Sequence, residues 1–210
     1  MVIFHDKLTE YGGSEVVLKT LVTKLKPTVI YTACINHNID WYSIYKTKII
    51  APKSLLWVNS QKKYRLFYPL ICLFVYVFRI KCPKIDRAII YSSTAAKYFS
   101  IKNINQVVFY SNFPAKPLVR YGDYIHKVGL SSDIRLFLFN ILKYLWIKIE
   151  LSQLKKFSQI NVISEQTASE YKTLYGDELP SLNVIHCPAD HVSYNLAINR
   201  NKNSLYREKT

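Results

Sequence analysis

Short apolar runs alternate along this chain with longer stretches in which apolar residues recur every three or four positions. The runs predict strands at residues 2–4, 29–33, 48–50, 88–91, 107–110, 161–163 and 183–185. The longer pattern predicts helices at 14–25, 61–78, 94–99, 134–157 and 167–175. Strands this short and this continuously apolar, set between helices, predict a parallel sheet covered on both faces. The expected fold class is therefore α/β, a Rossmann-like parallel sheet with helices on both faces. No internal repeat interrupts the alternation. Ligands of such sheets bind beyond the carboxyl ends of the strands.

The first strand ends in a polar turn, His5 to Tyr11, followed by Gly12, Gly13 and an amphipathic helix carrying Val16, Val17, Leu18, Leu21 and Val22. A glycine pair at a strand-to-helix turn lets backbone approach a ligand closely. The helix start behind it offers unpaired N–H groups and partial positive charge, which suits a phosphate or diphosphate. The spacing is neither GxGxxG nor a P-loop, because no Lys-Ser/Thr follows. A purely structural turn and a ligand loop both fit these residues.

Two apolar stretches bear on the chain's surroundings. Residues 66–78 are thirteen uncharged, mostly apolar positions between Arg65 and Arg79. A bilayer span needs about 20 residues, so this segment is too short to cross. Pro69 fits a helix only within its first turn. The segment reads either as a core element or as an interfacial one, with Lys62, Lys63, Arg65, Arg79 and Lys81 at lipid headgroups. Residues 134–157 carry Arg135, Lys143, Lys148 and Glu150, which excludes a span. Most of that surface is expected on the sheet, with Tyr144, Trp146 and the lysines at a membrane-facing edge.

Charge and cysteines narrow the class further. The chain has 210 residues, 29 basic against 14 acidic, and a net charge of +15. Half of it is hydrophobic, enough for a substantial core. Such positive charge favours polyanions. The basic residues are scattered, in no block longer than Lys62-Lys63 or Lys155-Lys156, and no zinc-finger or RNA-recognition signature accompanies them. A membrane surface or a phosphorylated substrate therefore ranks above nucleic acid. Cys34, Cys72, Cys82 and Cys187 show no CxxC or paired histidine spacing, so buried reduced thiols in a cytosolic protein are expected and no metal is implied. The chain opens directly on a strand, so no signal peptide is expected.

The order of motifs resembles the N-terminal, acceptor-side domain of family-4 glycosyltransferases, which have the two-domain GT-B fold. The segment HDKLTEYGGSEVVL from His5 is similar to that family's opening strand and glycine turn. The run from Tyr64 to Leu70 resembles a Tyr-Arg…Leu-Pro-Leu segment of a bacterial polysaccharide branch. Arg87 to Ser93 resembles the strand ending in two serines, and Val107 to Pro114 falls where members carry a strand ending in His-x-Pro. Residues 161–168 with Tyr175-Gly176, and Val184 to Asp190, are similar to the last strand–helix unit and the segment leading to the interdomain linker. The likeness covers residues 3 to about 190.

The resemblance implies that Gly12, Gly13 and Ser14 approach the diphosphate of a nucleotide-sugar donor, and that His5, Asp6, Glu10 and Asn112 border the acceptor. Turn capping and helix-dipole interactions are the alternative roles for His5, Asp6 and Glu10. Asn112 stands where members often place a histidine. It can hydrogen-bond but cannot titrate near neutral pH, so acid–base chemistry is not expected there. A retaining hexosyl transfer, in which the leaving diphosphate helps take the acceptor proton, has no strict need of a histidine. The implied partners are a nucleotide sugar, a lipid-linked saccharide acceptor and an anionic membrane surface, at the cytoplasmic face of the cell membrane; no cofactor is implied. Residues 1–190 are expected to form the Rossmann-like domain. Residues 191–210 are expected to be linker and the start of a donor-binding domain, with Arg200 on the diphosphate and Lys202 or Lys209 beside it; a polar, fraying tail over residues 199–210 is the safer reading of that end. Twenty residues after Asp190 cannot form a donor pocket, so a donor-domain partner chain or longer parent is expected.

Overall fold

A computed structural model describes residues 1–52, 68–114 and 133–186. Seven strands form one wholly parallel sheet: β1 (Val2–His5), β2 (Val29–Thr32), β3 (Lys48–Ile50), β4 (Ile85–Tyr91), β5 (Ile104–Ser111), β6 (Gln159–Val162) and β7 (Ser181–Val184). Their order is β3-β2-β1-β4-β5-β6-β7. The chain first winds outward from β1 to β3, then returns to place β4 on the other side of β1. Val2 pairs with Val29 on one side and Ala88 on the other, and His5 with Thr32 and Tyr91. The winding direction reverses between β1 and β4, the position where open α/β sheets bind ligands.

Alternation along the strands builds two cores. Ile3, Ile30, Tyr91 and Tyr110 face helices α1 (Gly13–Leu25) and α2 (Trp41–Tyr45), against Val17, Leu18, Val22, Trp41 and Tyr45. Val2, Phe4, Ile90, Phe109 and Ile160 face the opposite side. There they meet α3 (Tyr68–Phe78), α4 (Asp133–Leu154) and α5 (Glu165–Tyr175) through Val75, Tyr76, Leu151, Leu154 and Tyr171. Burial on both faces is why the strands read as unbroken apolar runs.

Local signals set the helix ends. Asp40 accepts the backbone N–H of Ser43 at 3.1 Å and starts α2, and Ser164 accepts that of Thr167 at 3.2 Å and starts α5. Pro69 lies in the first turn of α3, where its missing N–H costs nothing. Lys26 and Lys46 close α1 and α2 in the left-handed conformation.

The elements differ from the sequence pattern in three places. The helix expected at 94–99 is only a single 3-10 turn, Ala96–Tyr98, because the side chain of Asp6, just after β1, captures the amides of residues 93–96 and Phe99 is already extended. The short α2 is too brief to show a period, and its start lies in the Asp40–Ser43 cap. The helix expected at 134–157 ends at Leu154, with the next three residues in a tighter turn. Residues 61–67 of the helix expected at 61–78 lie outside the described residues, as does the expected linker at 191–210. Cys34 is buried and Cys82 half-buried. Among the described residues no helix is long and apolar enough to cross a membrane, and no cluster of His, Cys, Asp or Glu could hold a metal ion.

Candidate functional site

The carboxyl ends of β1 and β4 converge at the reversal point, and His5 is the last residue of β1. Its ring is buried and stacks on Tyr91 at 5.1 Å between centroids. Nδ1 lies 3.2 Å from the backbone oxygen of Tyr91. A carbonyl only accepts, so Nδ1 carries a proton. Nε2 is buried, has no hydrogen-bond partner and faces Oε1 of Glu15 at 3.6 Å, an ion-pair distance rather than a hydrogen bond.

Glu15 joins this strand end to the glycine turn. Its other oxygen accepts the amide N–H of Gly12 at 3.0 Å. Burial disfavours its charge, but the His5 ring and the Ser14 side chain outweigh that, and the carboxyl lies below its ordinary value.

Asp6 is committed to the fold. One oxygen accepts the Ser92 hydroxyl at 2.6 Å and the amides of Ala95 and Ala96 at 2.9 and 2.7 Å. The other accepts the amides of Ser93 and Thr94 at 2.7 and 2.9 Å. Burial opposes ionisation, yet the influence of His5 and these donors hold the carboxyl below its usual range. Asp6 thus performs the turn-capping role, leaving little capacity for an acceptor. Glu10 is exposed at the turn.

The glycine pair is not demanded by the backbone. Gly12 is extended, with φ −139°, and Gly176 is the one described glycine with positive φ. A Cβ on Gly13 would meet nothing within 4 Å. The first amides of α1 have no intrahelical acceptor. Gly13 is exposed and Ser14 half-buried beside the reversal point.

Asn112 follows β5 and is buried. Its Oδ1 accepts the hydroxyl of Tyr91 at 2.7 Å, and its backbone oxygen accepts that of Thr167 at 3.2 Å. The Tyr91 bond fixes the amide orientation, turning Nδ2 away from Tyr91 as a donor. His5 and Asn112 therefore converge on one residue, Tyr91, while Glu10 stands apart.

Behind the site, Lys97 and Glu150 form an ion pair with both side chains wholly buried. Lys97 also donates to the Ser93 backbone at 3.1 Å, and Gln153 donates to the Lys97 carbonyl at 2.9 Å. Trp146, expected at a membrane face, is half-buried and donates its indole N–H to Tyr98 at 3.2 Å. Arg79 is exposed. Lys62, Lys63, Arg65 and Arg200 lie outside the described residues.

Sequence reasoning assigned no role to Glu15, Tyr91, Lys97 or Glu150. A signal for the last was present: Glu150 is the only acidic residue in the apolar stretch 134–154. Two concavities, of about 280 Å³ beside α5 and β7 and about 500 Å³ at Met1, Asp86 and Asn105, do not touch the glycine turn. No protein-family model, curated protein or solved structure matches the chain.

Proposed function

We propose that this chain is the acceptor-side half of a retaining glycosyltransferase of the GT-B type. It transfers a sugar from a nucleotide-sugar donor to a lipid-linked saccharide in surface polysaccharide synthesis, at the cytoplasmic face of a membrane. The observation that carries this reading is the open, glycine-lined start of α1 at the β1/β4 reversal point. Backbone N–H groups there suit a diphosphate, and neither glycine is needed for its own conformation. The ordered motifs from residue 3 to about 190 support the same reading. The nucleotide would be held by a second domain, on a longer parent or a partner chain.

In this scheme the chain's own groups bind and orient rather than transfer protons. Asp6 and Glu15 are buried in internal partnerships, and Asn112 offers a fixed hydrogen-bond donor. Ser14 and the amides of the first turn meet the diphosphate, whose oxygen takes the acceptor proton as the sugar leaves. The commitment of Asp6 and Glu15 to internal partners also favours one alternative, a non-catalytic relative that binds glycan, lipid or a partner enzyme.

Transfer assays with nucleotide sugars separate the two, using the chain alone, with the product of the neighbouring gene, and as part of a longer parent. The glycosyltransferase reading expects turnover only when a donor-binding half is present. Turnover by the chain alone would remove the dependence on a second half. Absence of turnover in every pairing, with glycan binding retained, would favour the binding protein.

A further inference from the structure

We propose that the outer edge of β7 takes up an extended, cationic segment of a partner protein as an eighth strand of the sheet. The inference is independent of the transfer reaction proposed above. β7 closes one end of the strand order, and among the described residues no strand pairs with its far side. The Ile185 N–H donates to the Val162 carbonyl at 2.8 Å, so Ile185 turns its backbone groups toward β6. Strand alternation then turns those of Asn183 inward as well, and those of Leu182 and Val184 outward. An added strand finds two N–H donors and two carbonyl acceptors there.

The opposite edge of the sheet does not offer this. β3 is three residues long and opens on the exposed Lys48. Brevity and an edge lysine are devices by which sheets block further pairing. β7 is one residue longer, holds neither lysine nor proline, and keeps an unbroken register with β6 that runs on through Ile185.

Side chains decide what kind of strand fits. Leu182 and Val184 lie on the face covered by α5, yet both stay half-buried. A hollow of about 280 Å³ opens between them and α5, floored by Ala168, Leu179, Leu182 and Val184. Every second side chain of a strand added to this edge would drop into that hollow, which calls for apolar residues at alternate positions. Glu165 and Asp177 stand exposed at its rim with no ionic partner among the described residues, while Glu178 is taken by Lys155 at 2.6 Å. Residues 163–186 hold four Asp or Glu against one Lys, Lys172 at the same rim, where the whole chain holds 14 acidic against 29 basic. The edge is an acidic strip on a basic protein, so the matching segment alternates apolar residues with Lys or Arg. A second copy set edge to edge would oppose the same acids, which disfavours self-pairing.

Fluorescence anisotropy of the full chain with the labelled peptide KVKVKVK tests the proposal, beside the block peptide KKKKVVV of the same composition. The alternating peptide is expected to bind, and the block peptide to bind at least roughly ten-fold more weakly. Val184→Pro removes an outward N–H, which an edge strand tolerates, and should weaken binding of the alternating peptide by a similar factor. Glu165→Lys with Asp177→Lys, which reverses the charge of the rim, should do the same. In hydrogen exchange of the wild type, the alternating peptide should slow the amides of Leu182 and Val184 at least roughly ten-fold and leave that of Asn183 little changed. That measurement needs no variant to fold. Absence of binding by the alternating peptide, equal binding of the two peptides, full binding by either variant, or unchanged exchange at Leu182 and Val184 would each overturn the proposal. Slow exchange at both amides before peptide is added would mean that the edge is already paired, and would overturn it too.

Discussion

The Asp6 carboxylate receives the Ser92 hydroxyl at 2.6 Å across 86 positions of sequence, and four successive amides converge on the same two oxygens. This one side chain ties β1 to the turn after β4 at the point where a ligand is expected. It converts a would-be site carboxylate into a structural one.

Asp6→Asn should therefore destabilise the fold by about 3 kcal/mol, since it removes the charge and replaces one acceptor by a donor facing backbone amides. Urea denaturation measures this. The pH dependence has a definite sign. Asp6 and Glu15 lie below ordinary values of 3.8 and 4.5, so their contribution is complete above those values. It is lost as pH falls through the depressed folded values. Wild-type stability should decline from about pH 4.5 downward, and the decline should be shallower in Asp6→Asn.

Breaking the buried Lys97–Glu150 pair from one side should cost about 3–5 kcal/mol, because an uncompensated charge stays behind. Lys97→Met measures it. Lys97→Met with Glu150→Leu should be more stable than Lys97→Met alone. Burial first, and the Glu150 carboxylate second, raise the neighbouring Tyr98 phenol above its ordinary value, keeping it a neutral hydroxyl.

Gly13 separates fold from ligand. With no positive φ and open space at its Cβ, Gly13→Val should change stability by less than about 1 kcal/mol. If the turn receives a diphosphate, calorimetric titration with a nucleoside diphosphate should show at least roughly ten-fold weaker binding in that variant. A large loss of stability instead would make the glycine structural.

Tyr91 and Asn112 should be coupled. Tyr91→Phe removes the hydroxyl that orients the amide and should cost about 1 kcal/mol. A double-mutant cycle with Asn112→Ala should return a coupling energy of similar size.

The seven strands were legible because each carries a short apolar run, buried on both faces in the central β1 and partly exposed in the edge strands β3 and β7, and the core of every predicted strand lies within the observed one. The glycine turn was legible as the junction of the first run with a helical period. The partners of His5 and Asp6 were not. Ser92 to Ala96 lie some ninety residues away, and nothing local in HDKL or YSSTAAK says that one caps the other. Trp146 was legible as an aromatic among lysines, but the bond from its indole N–H to Tyr98, 48 positions away, was not.

The chain by itself determined the order of the seven strands and the longer helices, because strand and helix periods follow from which positions must leave water. It also set the positive charge and placed two glycines after β1. Only the tertiary structure decided which polar groups are spent and which are open. Parallel pairing of β1 with β4 brings Asp6 to five donors and His5 to Tyr91, while Gly13 at the start of α1 stays exposed beside them. That division depends on contacts between residues distant in sequence, which hydrophobic periodicity does not encode.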